Sequence, residues 1–586
     1  MTTRRRIRAY SLLTASALAL GACSSSNTPA ASPTTTPTAG VTTTAAGGTS
    51  GKGSAGKGNV GTDVAGAPAP VSQLSGPITV GLDFLPERDG FAFENYGKND
   101  ARPNLTPSEM ERYFGDKVCS SKADGQCQLT PPAKQWMEAT NEGMNGGHCE
   151  GMAALAILIK KGTAKSSDFG SELTNALTID GNERLAREIA FWFATQALDP
   201  TVTAELKTLK PSEIVAKLKE SFQPDSPESY TLGIYKTVDG KKKEGHAITP
   251  FGLVELPDGK VEIAIYDNNF PGQTRAVVVD TAAEKWTYST ATNPAEPVGL
   301  YEGDASTFSL TVTPSTARLA NQQCPFCGDA AAASGSRGGT KGATLTEGEP
   351  AAPGDYGYVF LNDAGDEGGV DIKITNLDDT PLEGATEITT KSDSLAQDDA
   401  PPVYQVPAGK AFKVLIDGTN VTEEANTDIT YVGADTDLYI DDIMVDPGQV
   451  DAAIIDPAAG SISYATKKTE APLIGAGFSG DGADYAFAIG GVDLPDGGTV
   501  TMTLDRANGT FTIKNEDEKA GTYAVGMERY DEAGEQTFTD EGFELPAGAS
   551  VTIAYAGWSA KADKLKLTID LGDGTPPAET EIESDK

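Results

Sequence analysis

The sequence predicts a multidomain protein in which an α+β domain precedes two all-β sandwich domains. Between residues 75 and 329, helical periodicity comes first and strand-like runs follow, which is typical of an α+β domain. Residues 330–353 are rich in Ala, Gly and Ser and are expected to form a linker. Beyond them, short β-rich runs recur between turns, which predicts β-sandwiches at 354–460 and 461–575. The last residues, 576–586, are expected to be an acidic tail.

The N-terminus has the pattern of an export signal. Four arginines among the first eight residues precede a short apolar run at 12–20, which is too short to cross a bilayer as a helix. The end of this run, Leu20-Gly-Ala-Cys23, resembles the lipobox of bacterial lipoproteins. That resemblance implies a signal peptide over 1–23, a lipid on Cys23, and acyl chains that hold the protein on the extracytoplasmic face of the cell membrane. An ordinary cleaved signal is the alternative. Residues 24–74, mostly Ser, Thr, Ala, Gly and Pro, are expected to be a disordered tether.

The charge of the chain limits its partners. The sequence has 84 acidic and 46 basic residues, a formal net charge of -38. Such a charge opposes binding to nucleic acid and to anionic lipid. We therefore expect no nucleic-acid partner and no membrane contact other than the lipid anchor.

Within the α+β domain the periodicity predicts four helices followed by four strands. The first helix is expected to begin at Thr106, which stands three residues before Glu109 in the spacing of a capping box. The predicted helices are 106–114, 149–161, 183–196 and 211–222, and the predicted strands are 230–237, 246–256, 260–267 and 274–280.

The six cysteines divide by position. Cys23 is assigned to the lipid, Cys119 and Cys127 flank a short hydrophilic loop, and Cys324 and Cys327 form a Cys-Pro-Phe-Cys pair. An exported protein can keep disulfides, so we predict these two close pairs as disulfides. The Cys324 pair lacks a partner pair at zinc-ribbon spacing, which makes a metal site the less favoured interpretation. Cys149 is left as a free thiol.

Cys149 has surroundings that favour reactivity. It lies in Asn145-Gly-Gly-His-Cys149, where a loop becomes a helix, and the free N–H groups of a helix start stabilise a thiolate. Gly146 and Gly147 leave room for another backbone to approach. His246 opens a predicted strand and Asp267 ends the next one, so a hairpin can set the carboxylate beside the imidazole.

These residues resemble the papain superfamily, most closely the bacteriocin-processing cysteine peptidases and the transglutaminase-like domains. The resemblance covers about 75–330 and implies a nucleophile at Cys149, a base at His246 and an orienting group at Asp267. One departure concerns the oxyanion hole, because Gly143 occupies the position where papain-like enzymes have Gln. Asn145, or more distantly Gln135, can substitute for it.

Each residue also has a structural interpretation. Cys149 can be a core thiol, Asp267 can be a turn residue, and His148 is expected to be structural or to face the substrate. The acid-rich run 436–446 can ligate Ca²⁺, although solvated carboxylates are the favoured interpretation. With two histidines in the chain, no His-based zinc site is expected, and we predict neither a metal nor a cofactor.

The resemblance implies a lipid-anchored cell-envelope protein that acts on a peptide or protein substrate. Hydrolysis of peptide or amide bonds by the Cys-His-Asp triad is the first expectation, and amide exchange uses the same residues. A peptidoglycan amidase is less favoured, because such enzymes commonly use a second histidine and only His148 remains. The alternative from another class is a non-catalytic surface binding or adhesion protein built on the same scaffold.

Overall fold

A computed structural model describes residues 73–97, 102–123, 125–238, 240–291, 299–327, 356–363, 370–392, 403–480, 482–490, 494, 496–531, 534–556, 558 and 564–584. The predicted signal peptide with Cys23 and the predicted linker 330–353 lie outside these residues. The last two residues of the predicted tether are described, and they already contact the α+β region. Gln73 N–H donates to the Thr274 carbonyl at 3.0 Å, and Leu74 packs against the apolar core.

The helices of the α+β region agree with the sequence pattern at the four predicted positions. Helix α2 begins after Thr106, whose N–H donates to the Glu109 carboxylate at 3.0 Å, as a capping box requires. Helix α3 was not expected from the periodicity. The helices are α1 Pro86–Asp89, α2 Pro107–Phe114, α3 Pro131–Gly143, α4 Cys149–Lys160, α5 Glu183–Ala194, α6 Thr201–Ala204, α7 Pro211–Ser221 and α8 Ser315–Leu319.

An antiparallel sheet follows the helices, with strand order β10-β4-β5-β6-β7-β8-β9 and β1 paired to β5. The sheet curls, so that the Lys236 ammonium of β4 lies 5.2 Å from the centre of the Tyr301 ring on β9. Strands β2 and β3 form a separate hairpin. The strands are β1 Val80–Gly81, β2 Cys119–Ala123, β3 Gln126–Leu129, β4 Tyr230–Val238, β5 Lys241–Glu255, β6 Lys260–Tyr266, β7 Thr274–Asp280, β8 Lys285–Ser289, β9 Leu300–Asp304 and β10 Leu310–Pro314.

Helix α4 is the centre of the α+β region. Its first ten residues, 149–158, are all buried, because an apolar helix without a polar face must be covered on every side. It packs against β4, β5 and α5. Gly151 permits the close approach of α5, since a Cβ there would lie 2.0 Å from the Ile189 carbonyl oxygen.

The C-terminal half consists of two nine-stranded antiparallel sheets. The first sheet has the order β13-β14-β11-β16-β17-β20-β21-β24-β25, and the second β12-β15-β18-β19-β22-β23-β26-β27-β28. The strands are β11 Tyr356–Asp363, β12 Asp371–Thr375, β13 Thr386–Ile388, β14 Val403–Pro407, β15 Phe412–Asp417, β16 Ala425–Gly433, β17 Thr436–Val445, β18 Val450–Asp456, β19 Ser461–Ala465, β20 Leu473–Gly480, β21 Ala483–Gly490, β22 Thr499–Asp505, β23 Thr510–Asn515, β24 Gly521–Asp531, β25 Gly534–Leu545, β26 Ser550–Ala554, β27 Lys564–Asp570 and β28 Ala578–Glu583.

This topology corrects the predicted division into two sandwiches at 460/461. Both sheets run across that border, because β17 pairs with β20 and β18 pairs with β19. Their inward side chains share one apolar core from Val359 to Leu567. The sequence pattern missed the strands on both sides of the border, which is why a gap was expected there. The acidic segment 576–586 contributes β28, the edge strand of the second sheet.

The first β-sheet packs against the α+β region on its other face. Helix α3 contacts β16, β17 and β20, and the rings of Trp136 and Tyr358 are 6.3 Å apart across this junction. Asp435 N–H donates to the Phe326 carbonyl at 3.1 Å.

The two predicted disulfides, Cys119–Cys127 and Cys324–Cys327, are confirmed, and Cys149 is the free cysteine of the described residues.

No helix in the described part of the chain has the length and hydrophobicity that a membrane span needs.

Two carboxyl groups on β17, the buried Asp437 and the half-buried Asp441, give a prediction about pH. Burial raises the pKa of Asp437 to about 7, and burial with the neighbouring Asp428 and Asp442 raises the pKa of Asp441 to about 8. A carboxyl whose pKa is raised by folding stabilises the protein below its unfolded pKa of about 4 and loses that contribution as the pH rises through the folded value.

We expect Asp441→Asn to increase the free energy of unfolding by on the order of 1–3 kcal/mol at pH 8, and by less at pH 5. Thermal denaturation at both pH values measures the difference. The exposed Asp496, changed to Asn, is the control. An equal gain at pH 5 and pH 8 would contradict the assignment.

Candidate active site

The three predicted site residues meet at the start of α4. Cys149 is its first residue, His246 lies on β5, and Asp267 follows β6 directly. Strands β5 and β6 form a hairpin in which Thr249 pairs with Tyr266, so the carboxylate emerges beside the imidazole. His246 Nε2 lies 2.8 Å from Asp267 Oδ1. Because α4 packs on β5, the Cys149 sulfur reaches the same strand and accepts the N–H of Ala247 at 3.3 Å.

The His246 ring interacts with the Asp267 carboxylate and electrostatically with the Cys149 sulfur. Its Nε2 is held by Asp267, while Nδ1 forms no hydrogen bond among the described residues. Burial opposes protonation of His246, but the Asp267 carboxylate and the sulfur outweigh it and hold the pKa of His246 well above its usual value.

The thiol itself differs from the sequence-based expectation of a lowered pKa. Cys149 is fully buried, and burial raises its pKa although His246 opposes the shift. The helix start and the imidazole are in place, but the site is closed to water. Desolvation therefore dominates in this conformation.

Asp267 is kept ionised by further side chains that the sequence analysis missed. Its Oδ1 accepts the Asn269 N–H at 2.8 Å, and its Oδ2 accepts the hydroxyl of Tyr288. Arg275 Nε in turn donates to Tyr288 Oη at 2.9 Å. Burial of Asp267 favours the neutral acid, yet His246 and these donors lower the pKa of its carboxyl. No local signal in the sequence connects Tyr288 on β8 to this site.

Asn268 joins the two elements that carry the nucleophile and the base. Its Nδ2 donates to the carbonyls of Cys149 at 3.1 Å and Ala247 at 3.0 Å. The start of α4 is therefore tied to β5 beside the reactive groups.

Asn95 is a second amide side chain that the structure brings to the start of α4. Its Oδ1 accepts the His148 N–H at 2.7 Å, and its Nδ2 donates to the Ser392 carbonyl at 3.3 Å. The two candidates from the sequence lie elsewhere. Asn145 is half-buried in the turn 144–146 without a side-chain hydrogen bond to the triad among the described residues, and Gln135 donates to Thr430 on the first β-sheet at 3.4 Å. An oxyanion role for Asn145 stays a prediction.

His148 is engaged away from the thiol. Its Nδ1 lies 2.6 Å from the Tyr96 carbonyl oxygen and its Nε2 lies 2.9 Å from Asn104 Oδ1. The ring stacks on Tyr96 with centroids 4.2 Å apart. Burial lowers the pKa of His148 to about 4, which fits a neutral structural residue.

A stretch of the C-terminal half closes the site. Residues 388–392, here named the covering segment, pass between the loop before Cys149 and the strand of His246. Ser392 N–H donates to the Gly245 carbonyl at 3.1 Å. Gly147 has a φ of 148°, and a Cβ on it would lie 1.7 Å from the Ser392 carbonyl oxygen. The space that Gly147 leaves is thus occupied by another part of the chain.

The acid-rich run 436–446 coincides with strand β17 and does not form a cation-binding loop. Within the described residues, the one group with metal-ligand spacing is Glu111 with Cys119 and Cys127. Those two cysteines form a disulfide and so offer no thiolate.

Comparison of the chain with protein-family models, with curated proteins and with solved structures finds no match.

The contact at Gly147 gives a prediction about stability. Gly147→Ala places a methyl group against the Ser392 carbonyl and imposes an unfavourable φ, so we expect a loss of about 3 kcal/mol or more in the free energy of unfolding. Gly143→Ala is the matched control, since nothing lies within 4 Å of the added methyl and its φ is an ordinary -57°. Urea denaturation of both variants tests the contact, and similar stabilities would refute it.

Proposed function

We propose that this protein is a thiol acyl-transfer enzyme that hydrolyses peptide or amide bonds with Cys149, His246 and Asp267. The observation that carries the proposal is the convergence of a free thiol, an imidazole and a buried carboxylate from three separate parts of the chain. The order of these three residues along the chain does not by itself require them to lie close together. The arrangement of nucleophile, base and orienting group is the one that thiol catalysis needs.

The proposed reaction has two steps. The Cys149 sulfur attacks the carbonyl carbon of the substrate, and the thiol proton passes through His246 Nδ1 to the leaving amine as the C–N bond breaks. Water then attacks the thioester, gives a proton to His246 and releases the acid, while the thiol is regenerated. Asp267 holds the ring through Nε2 and stabilises the imidazolium in both steps.

Two N–H donors are suited to stabilise the oxyanion. The backbone N–H of Cys149 lies at the first turn of α4, where helix N–H groups have no intrahelical acceptor. Asn95 Nδ2 already donates to a peptide carbonyl, that of Ser392. We propose Asn95 for the role that Gln has in papain-like enzymes, where this chain has Gly143. Such donors contribute a few kcal/mol to the transition state.

The order of elements supports a papain-like assignment of the α+β region. A helix begins at the cysteine, a later strand carries the histidine, and the next strand ends at the carboxylate. The export pattern around Cys23 and the two disulfides support a location on the outer face of the cell membrane, held by lipid.

A non-catalytic binding protein is the second candidate. The observation in its favour is that Cys149, His246 and Asp267 all have no exposed surface. A papain-like scaffold whose thiol no longer reaches a substrate would have this structure. The large two-sheet region is also of a kind that often binds partners.

The first test is turnover. A mixed peptide library incubated with the mature protein is expected to show new termini, and Cys149→Ser is expected to reduce the rate by about 10³-fold or more. Mass spectrometry measures the products, and an added fluorescent alkylamine separates amide exchange from hydrolysis. Absence of both products, also with the Lys391→Ala variant described below, would exclude acyl transfer to these substrates.

The second test concerns the thiolate. We expect iodoacetamide to label Cys149 at pH 6 about tenfold faster in the wild type than in His246→Ala, because the imidazolium stabilises the thiolate. The labelling rate of each protein at pH 9 is the reference for how accessible its sulfur is, since the thiol at that pH ionises with less help from His246. A ratio of the two rates that is unchanged by His246→Ala would support the scaffold alternative.

A further inference from the structure

The covering segment is bound mainly through its backbone. Ser392 N–H donates to the Gly245 carbonyl at 3.1 Å, and Lys391 forms a parallel β-bridge with Gly245. On the other side, Lys391 N–H donates to Gln196 Oε1 at 2.8 Å. Backbone pairing of this kind holds an extended peptide whatever its side chains are.

Three glycines from separate elements make room for this backbone. Besides Gly147, a Cβ on Gly245 would lie 2.6 Å from the Thr390 carbonyl oxygen, and one on Gly233 would lie 2.9 Å from the Lys391 side chain. These glycines therefore leave space for an extended chain beside the loop that precedes Cys149.

The side chain of Lys391 enters an acidic pocket. Its ammonium, almost fully buried, lies 2.9 Å from Glu205 Oε1 and 3.4 Å from Glu150 Oε2. That oxygen of Glu150 is buried and accepts no hydrogen bond from the described residues, and the Lys391 ammonium is its ion-pair partner. Burial opposes the charge on Lys391, but the two carboxylates outweigh it and raise the pKa of its amine, while that of Glu205 is lowered to about 2.

The charges in the pocket require a cation from the bound chain. Glu150 and Glu205 carry two negative charges, and the fully buried Arg318 pairs with Glu150. The Lys207 ammonium lies 3.7 Å from Glu205 Oε2, but a third of the Lys207 side chain is exposed to solvent. Without Lys391 the interior of the pocket keeps an uncompensated carboxylate, which is costly in a buried site. Glu150 follows Cys149 directly, so the pocket is fixed relative to the sulfur.

We infer that this groove is the substrate site, and that its substrates are extended peptides with a lysine side chain immediately before a small residue whose carbonyl faces Cys149. The covering segment Ile-Thr-Thr-Lys-Ser occupies the groove in the closed protein as an internal ligand. This inference rests on the proposed function for the term substrate, but the binding itself does not require turnover.

The first experiment opens the groove. Lys391→Ala removes the cation that anchors the covering segment, and we expect labelling of Cys149 by monobromobimane to become about tenfold faster than in the wild type. Lys373→Ala, which breaks an exposed ion pair with Asp417 on the second β-sheet, is the matched control and is expected to label like the wild type. Circular dichroism verifies that both variants are folded.

The second experiment refills the groove. Acetyl-Ile-Thr-Thr-Lys-Ser-amide is expected to slow the labelling of Lys391→Ala, and the same peptide with Glu in place of Lys is expected to have no effect. If Lys391→Ala does not fold, Ser392→Pro replaces it, because this change removes the N–H that donates to Gly245 and leaves the buried charges intact.

The outcomes separate the two proposals. Equal labelling of wild type and opened variant, or equal protection by both peptides, would overturn the groove and its lysine preference. A third outcome is faster labelling with lysine-dependent protection but without any cleaved or exchanged product. This outcome would support the groove as a peptide-binding site and contradict only the acyl-transfer function.

Discussion

The hydrogen-bonded pair of His246 and Asp267 is the constraint around which the α+β region is organised. Both side chains are fully buried, and a buried pair of this kind needs further hydrogen bonds to offset the cost of its desolvation. The Tyr288 hydroxyl and the Asn269 backbone N–H donate hydrogen bonds to Asp267, and Arg275 donates one to the Tyr288 oxygen. The curled sheet places strands β5, β6 and β8 so that these groups converge. The geometry at the sulfur is a consequence of this network.

The C-terminal sheets are part of the same unit as the site. The first sheet lies against helix α3, and the segment that follows its edge strand β13 pairs with Gly245 on β5, next to His246. A polar thiol site next to an apolar core would otherwise admit water. The peptide backbone of residues 388–392 supplies hydrogen bonds in place of water, and Lys391 neutralises the acidic pocket. The contacts that close the site therefore also join the C-terminal sheets to the α+β region.

The sequence revealed the parts of the site that carry a local signal. Cys149 stood at a helix start, His246 and Asp267 stood at strand positions, and the two disulfides stood at short spacings, so these residues could be found from pattern. Asn95, Tyr288 and Lys391 could not, because their roles depend on contacts between distant segments. The four predicted helices of the first half followed their periodicity, whereas α3 was not expected. The border of the β region was predicted wrongly, since strands β17–β20 are continuous with their neighbours although their sequence pattern is weak.

The continuity of the two β-sheets also has a consequence for any shortened form of the chain. Ending the protein near residue 460 would leave the backbone groups of β17 and β18 without β20 and β19, the strands that now pair with them. An uncovered strand edge recruits edges from other molecules, so such a fragment would self-associate.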